Sequence, residues 1–131
     1  MAAEGGGGGA IRVLLADDDQ PFLESLTLLI ERQDDLAVVG AASDGLAAIE
    51  LSEKLRPDAI VIDLHMPLLD GVTAVARLRR DHPSMCILAL TGDVHPALHQ
   101  AAMDAGADAV LFKGEFVEAL VDRLAAAKAA V

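Results

Sequence analysis

Six acidic, hydroxyl and amino side chains stand where apolar runs end, and their types suit one kind of chemistry. Asp17, Asp18 and Asp19 follow IRVLLA, Asp63 lies within AIVIDL, Thr91 closes CILALT, and Lys113 follows AVLF. Carboxylates crowded to about 4 Å repel by about 1 kcal/mol per pair in water and several times more in a less polar site. Something cationic must offset that repulsion. A hard divalent ion with oxygen ligands, Mg²⁺ before others, does so through one or two carboxylates, waters and substrate phosphate. Lys113, one of three lysines in the chain, supplies a second positive charge. A carboxylate, a magnesium ion, a lysine and a hydroxyl are the parts of a phosphoryl-transfer site, where charge needs positioning and neutralisation more than covalent help. An aspartate can itself be the nucleophile. Asp63 reads as functional rather than as a turn residue, because a carboxylate directly after AIVI is costly unless it is paired or coordinated.

These residues share an edge only if the chain folds to bring them there. Short apolar runs at 11–16, 36–42, 59–64, 86–91 and 109–112 predict five strands. Between and after them, apolar residues recur at helical spacing, predicting five helices. The marks are Phe22, Leu26, Leu29 and Ile30, then Leu46 and Ile49, then Val72, Val75 and Leu78. Leu98, Ala101, Ala102 and Ala105 mark a fourth helix, and Phe116, Leu120 and Leu124 a fifth. Strands that are nearly all apolar are buried on both faces, and strict β-α alternation requires right-handed crossovers, so the fold class is α/β, a single doubly wound domain with a parallel sheet. Ligands of such sheets bind beyond the carboxyl ends of the strands, where all six residues fall. Asp70-Gly71 caps the third helix, Gly106 ends the fourth, and Pro57 and Pro83 lie in loops before strands. The fourth helix, lined mostly by alanine, buries little area and should be the most mobile of the five.

Composition narrows the function further. At 131 residues the chain is one domain, without room for a separate cap or lid. Aromatics are only 2% of it, which disfavours base stacking, and a net charge of -11 opposes the phosphate backbone of nucleic acid. Direct nucleic-acid binding is therefore not expected. The single cysteine, Cys86, permits no internal disulfide, and no apolar stretch approaches the length of a membrane span. The expected location is the cytoplasm. Residues 1–10 carry five consecutive glycines and read as a flexible tail or an expression remnant, leaving 11–130 as the folded domain.

VLLADDD, DLHMPLLDG, LALTG and GADAVLFKG, in this order at the ends of four strands, resemble the receiver domain of two-component response regulators. The resemblance covers about residues 11–130 and implies a flavodoxin-like sheet of strand order 2-1-3-4-5, an order the spacing alone does not supply. It implies that Asp63 accepts a phosphoryl group from a sensor histidine kinase or phosphotransfer protein. Asp18 would bind Mg²⁺ directly along with Asp63, Asp17 through water, and the His65 backbone carbonyl as a further ligand. Thr91 would hydrogen-bond the phosphoryl group and Lys113 would pair with its oxygens. The side chains of His65 and Asp93 would flank the group and set its lifetime. Many relatives carry an aromatic residue at the position of Val110, so here Thr91 and the loop from Gly92 to Pro96 would have to carry the switch. Gly114 stands where proline is common. The surface of the fourth helix, fifth strand and fifth helix would then repack, controlling an output or forming a homodimer. ASDG and Lys113-Gly114 resemble receivers joined to helix-turn-helix transcription factors.

Other readings compete with this one. Asp17-Asp18-Asp19 also satisfies the D-x-D pattern of haloacid-dehalogenase-like phosphatases, with Asp17 as nucleophile and Asp19 as acid/base, but this leaves Asp63 without a task. A phosphorylation-independent interaction domain would have no need of every acidic, hydroxyl and lysine position. His95 and His99, four apart, have no third zinc ligand by spacing, and His82 reads as a loop residue. Met66, Met85 and Met103 read as packing. The expected chain is thus a signalling phosphoacceptor whose only catalysis is of its own phosphorylation and dephosphorylation.

Overall fold

The computed structural model describes residues 9–92, 95–113, 122–124 and 126. Five strands alternate with four helices: β1 Ile11–Ala16, α1 Gln20–Glu31, β2 Leu36–Ala42, α2 Gly45–Leu55, β3 Ala59–Asp63, α3 Gly71–Asp81, β4 Cys86–Thr91, α4 Pro96–Ala105 and β5 Ala109–Phe112. Residues 122–124 are also helical, whereas Phe116 and Leu120 of the expected fifth helix lie outside the described residues. All strand pairs are parallel, in the order β2-β1-β3-β4-β5. Four strands match the apolar runs residue for residue, and β3 stops one residue before Leu64. The Leu64 N–H still donates to Leu90 O at 2.9 Å, but its carbonyl accepts from Gly71 N at 3.2 Å, turning the chain into α3.

The long apolar runs follow from burial on both faces. All five residues of β3 are buried, while the edge strand β2 is mostly half-buried. Alternate side chains feed two cores. Leu14, Ile60, Ile62, Ile87 and Ala89 pack with Ala48, Val75, Leu78 and Ala102 from α2, α3 and α4. Val13, Leu15, Val61, Leu88 and Leu90 pack on the other face with Leu23, Leu26 and Ile30 of α1 and with Leu124.

Aspartates start three of the helices. Asp19, Asp44 and Asp70 accept from the backbone N–H groups of Phe22, Ala47 and Thr73, so each cap satisfies a donor the helix itself leaves open. Leu46 overturns its expected place in the second helix. It is 48% exposed, because α2 approaches its neighbours through the small residues Gly45, Ala48 and Ser52. A β-carbon on Gly45 would stand 2.4 Å from Leu69 O, a contact that leaves no room for a leucine on this face. Met103 likewise stands out from α4 at 38% exposure, while Met85 is buried as expected. In α4 only Ala102 is fully buried, in keeping with the small area expected there. His82 lies in the loop as expected, where it is the C-cap of α3 with its side chain covered and 3.8 Å from Glu53.

Arg79 ties the amino ends of β4 and β5 to α3 and α4. Its guanidinium donates to Gly106 O (2.9 Å), Pro83 O (2.9 Å) and Met85 O (2.7 Å), and it pairs with Asp108 at 2.8 Å. Asp108 is 51% exposed, so the charge pair contributes little, and the carbonyls that would lose their donor set the cost of removing it. Arg79→Met is expected to cost about 2 kcal/mol in urea denaturation. It should leave the opposite edge of the sheet undisturbed.

Candidate functional site

The carboxyl ends of β1, β3, β4 and β5 converge as their parallel pairing requires. Asp17 follows β1, its N–H donating to Ala42 O at 3.0 Å, and its side chain is buried. Its Oδ1 accepts from Asp19 N at 3.0 Å, fixing the turn that leads into α1. Asp63 ends β3, with Oδ1 accepting from His65 N at 3.1 Å and Oδ2 from Lys113 Nζ at 3.3 Å. Thr91 ends β4 and is buried, and its carbonyl accepts from Lys113 N at 2.8 Å, which sets where the lysine leaves β5. Lys113 Nζ stands 2.5 Å from Asp17 Oδ2 and 4.6 Å from the centroid of the Phe22 ring.

These placements perturb the charges. Burial holds the Asp63 carboxyl above the ordinary carboxylate value, the neighbouring Asp17 charge adds to this, and the His65 amide and Lys113 offset it only in part. Burial also pulls on the Lys113 ammonium, but Asp17 and Asp63 outweigh it and raise its pKa. Lys113 is thus a cation paired with two carboxylates.

The rise at Asp63 carries a consequence for stability. Because the folded pKa lies above the unfolded value of 3.8, the folded state holds its proton more tightly, and this contribution is complete below the unfolded value. It is lost as pH rises through the folded pKa. With EDTA present, the melting temperature of the wild type is expected to fall relative to Asp63→Asn as pH rises above the unfolded value of 3.8 and through the raised folded pKa. Parallel thermal scans of the two proteins check it.

Asp17, Asp18 and Asp63 each offer a carboxylate oxygen, and the three lie within 4.8 Å of one another. Asp17 Oδ2 is buried with no hydrogen-bond donor aligned on it, Lys113 reaching it as an ion pair outside hydrogen-bond geometry. Three hard oxygen donors with surplus negative charge fit a hard divalent cation such as Mg²⁺. The structure therefore brings Asp17, Asp18, Asp63 and Lys113 together, with Thr91 at the adjoining strand end. Asp19 instead turns its Oδ1 to Phe22 N at 3.1 Å as the cap of α1. The His65 side chain is exposed on the loop after β3, and Asp93 lies outside the described residues. Val110 packs on the core shared with α2, α3 and α4. His95 and His99 are both exposed, and neither belongs to the three-residue acidic group. The Phe22 ring over Lys113 was legible only as part of the helical spacing of α1, because nothing local links it to a lysine at the far end of the domain.

A five-stranded parallel sheet of this order, with an acidic group and a lysine at its carboxyl edge, defines the fold and site of the aspartate-bearing receivers. The chain belongs to the response regulator receiver domain family, whose model matches residues 13–125. It is 39% identical over 108 residues to protein-glutamate methylesterase/protein-glutamine glutaminase 2 of Anaeromyxobacter dehalogenans, spanning 82% of this chain and 31% of that protein. It is 32% identical over 112 residues to the response regulator protein VraR of Staphylococcus aureus, spanning 86% of this chain and 54% of that one. The chain thus covers no more than about half the length of these relatives. Among solved structures it is similar to the signal receiver domain of the putative response regulator NarL from Mycobacterium tuberculosis. The TM-score is 0.86 at 30% identity, covering 92% of this chain and 98% of that one. No helix among the described residues is long and apolar enough to cross a membrane.

Proposed function

We propose that this domain is a working phosphoacceptor of a two-component system, taking a phosphoryl group on Asp63 from a sensor histidine kinase or phosphotransfer protein. The observation that carries this reading is the Asp63 carboxylate, 4% exposed, at a strand end beside two further aspartates and hydrogen-bonded to Lys113. Asp63 is the nucleophile: an O–P bond forms on its carboxylate as the donor's bond to phosphorus breaks, and the donor leaves with the bonding electron pair. Mg²⁺, held by Asp18 and Asp63 directly, Asp17 through water and the His65 carbonyl, would supply the charge neutralisation that brings a phosphate to a cluster of carboxylates. Lys113 turns from the carboxylates to the new phosphoryl oxygens, and the Thr91 hydroxyl donates to another of them. His65 and Asp93 are assigned control of how soon water removes it, as the family resemblance implies.

That shift of Thr91 and Lys113 is the switch. With valine at position 110, it acts on the loop before α4, on a helix that buries little, and on the face of α4, β5 and the following helix, where a homodimer or an output contact forms. A net charge of -11 disfavours DNA contact by this domain, so control of transcription, which the ASDG and Lys113-Gly114 resemblance suggests, would run through a separate module, with the cytoplasm as its compartment. The domain catalyses only its own phosphorylation and dephosphorylation.

Intact-protein mass after incubation with acetyl phosphate tests the reading. One added phosphoryl group is expected with Mg²⁺ and none with EDTA. An unmodified wild type that is folded and holds Mg²⁺ would overturn it.

A further inference from the structure

Lys113 has carboxylates on two sides and an aromatic ring on another. Its ammonium lies 2.5 Å from Asp17 Oδ2, 3.3 Å from Asp63 Oδ2 and 4.6 Å from the Phe22 centroid, with 20% of the side chain exposed. A lysine is a point charge on a flexible stem, and two neighbouring carboxylates alone do not keep it from moving toward one oxygen or lifting into water. The ring closes that freedom, because its negative face attracts the ammonium while its body excludes water. The ring is itself anchored. Asp19 fixes the Phe22 backbone at the start of α1, and the side chain packs against the core on the α1 face of the sheet.

We infer that Phe22 is a positioning residue for phosphorylation, its ring holding the Lys113 ammonium between Asp17 and Asp63, where charge develops on an arriving phosphoryl group. The inference rests on the phosphoacceptor reading above. Phe22 touches no reacting atom and acts through Lys113 alone. It also gives Asp19 a task, since the carboxylate that caps α1 aims the ring.

The test follows the rate of phosphoryl uptake from acetyl phosphate and Mg²⁺ by intact mass, in the wild type and in Phe22→Leu, Phe22→Met and Phe22→Tyr, each checked for folding by circular dichroism. The leucine and methionine variants keep an apolar side chain without a ring face and are expected to slow about two- to five-fold, the range of an exposed cation–π contact. Phe22→Tyr restores the face and should stay near the wild-type rate. In a Lys113→Ala background, Phe22→Leu should have no further effect. Wild-type rates in both leucine and methionine variants, slowing of Phe22→Tyr as severe as that of Phe22→Leu, or a Phe22→Leu effect that persists without Lys113 would each overturn the inference. If the wild type takes up no phosphoryl group, the phosphoacceptor reading fails and the inference with it. A phosphorylated wild type with unslowed Phe22 variants overturns the inference alone.

Discussion

Asp63→Asn should take up no phosphoryl group under conditions that fully modify the wild type, and at pH 7 without Mg²⁺ it should melt at a higher temperature. Both effects come from the same carboxylate. Asparagine keeps the shape of the side chain and an acceptor for His65 N, so the loop after β3 has no reason to move. It lacks the charged oxygen proposed to attack phosphorus, and neither Asp17, paired with Lys113, nor the exposed Asp18 occupies its position at the end of β3. Loss of the adduct should therefore be complete. Stability moves the other way because burial and Asp17 disfavour the Asp63 charge more than Lys113 and the His65 amide favour it. Removing the charge relieves that burial cost first and the Asp17 repulsion second. Intact mass and differential scanning calorimetry on the same samples read both outcomes. An adduct on Asp63→Asn would remove Asp63 from the mechanism, and an unchanged melting temperature would mean that Lys113 fully compensates the buried charge.

Gly71→Ala should damage both stability and phosphorylation although it adds a single methyl group. Gly71 opens α3 directly behind the end of β3, and a β-carbon there would stand 2.4 Å from Leu64 Cα and 2.7 Å from Asp63 O. Both are backbone atoms, so no side chain can swing aside. Alanine gains up to about 1 kcal/mol over glycine as a helix former. Overpacking against a fixed backbone costs about 1–3 kcal/mol and occasionally more, so the clash wins. A net loss of about 2 kcal/mol corresponds to roughly 6–10 °C in melting temperature. Relief of the clash pushes Asp63 off its position, and about an ångström of misplacement can slow a reaction by up to a hundredfold, so phosphoryl uptake should fall at least tenfold. Gly45→Ala is the control. It meets Leu69 O at 2.4 Å, farther along the same loop, and should lose comparable stability with a smaller loss of rate. Equal rates in wild type and Gly71→Ala would show that the β3–α3 junction yields without moving Asp63.

Much of this molecule was legible in the order of its residues. Burial on both faces of a parallel sheet writes itself as runs such as IRVLLA and CILALT, and these bounded β1 and β4 to the residue. Asp70-Gly71 marked the start of α3 and Gly106 the end of α4, because caps depend on backbone groups a few positions away. The acidic triplet, Asp63, Thr91 and Lys113 were visible as polar residues closing apolar runs, and their order carried the family resemblance. Local pattern failed where packing between elements decided the outcome. Helical spacing marked Leu46 for the core, yet Gly45, Ala48 and Ser52 face inward, because the approach of α2 to the Leu69 loop admits only small residues.

The sequence by itself determined the five strands, four of them to the residue, the caps that open α3 and close α4, and which polar groups lie at the carboxyl ends of the strands, since each depends on periodicity and capping over a few residues. Only the tertiary structure decided that Lys113 would reach Asp17 across the sheet, that Phe22 would cover its ammonium, and that Gly71 would leave no space behind Asp63. Those contacts join residues far apart in the chain. Their distances are set by strand register and helix packing, which no local pattern of residues records.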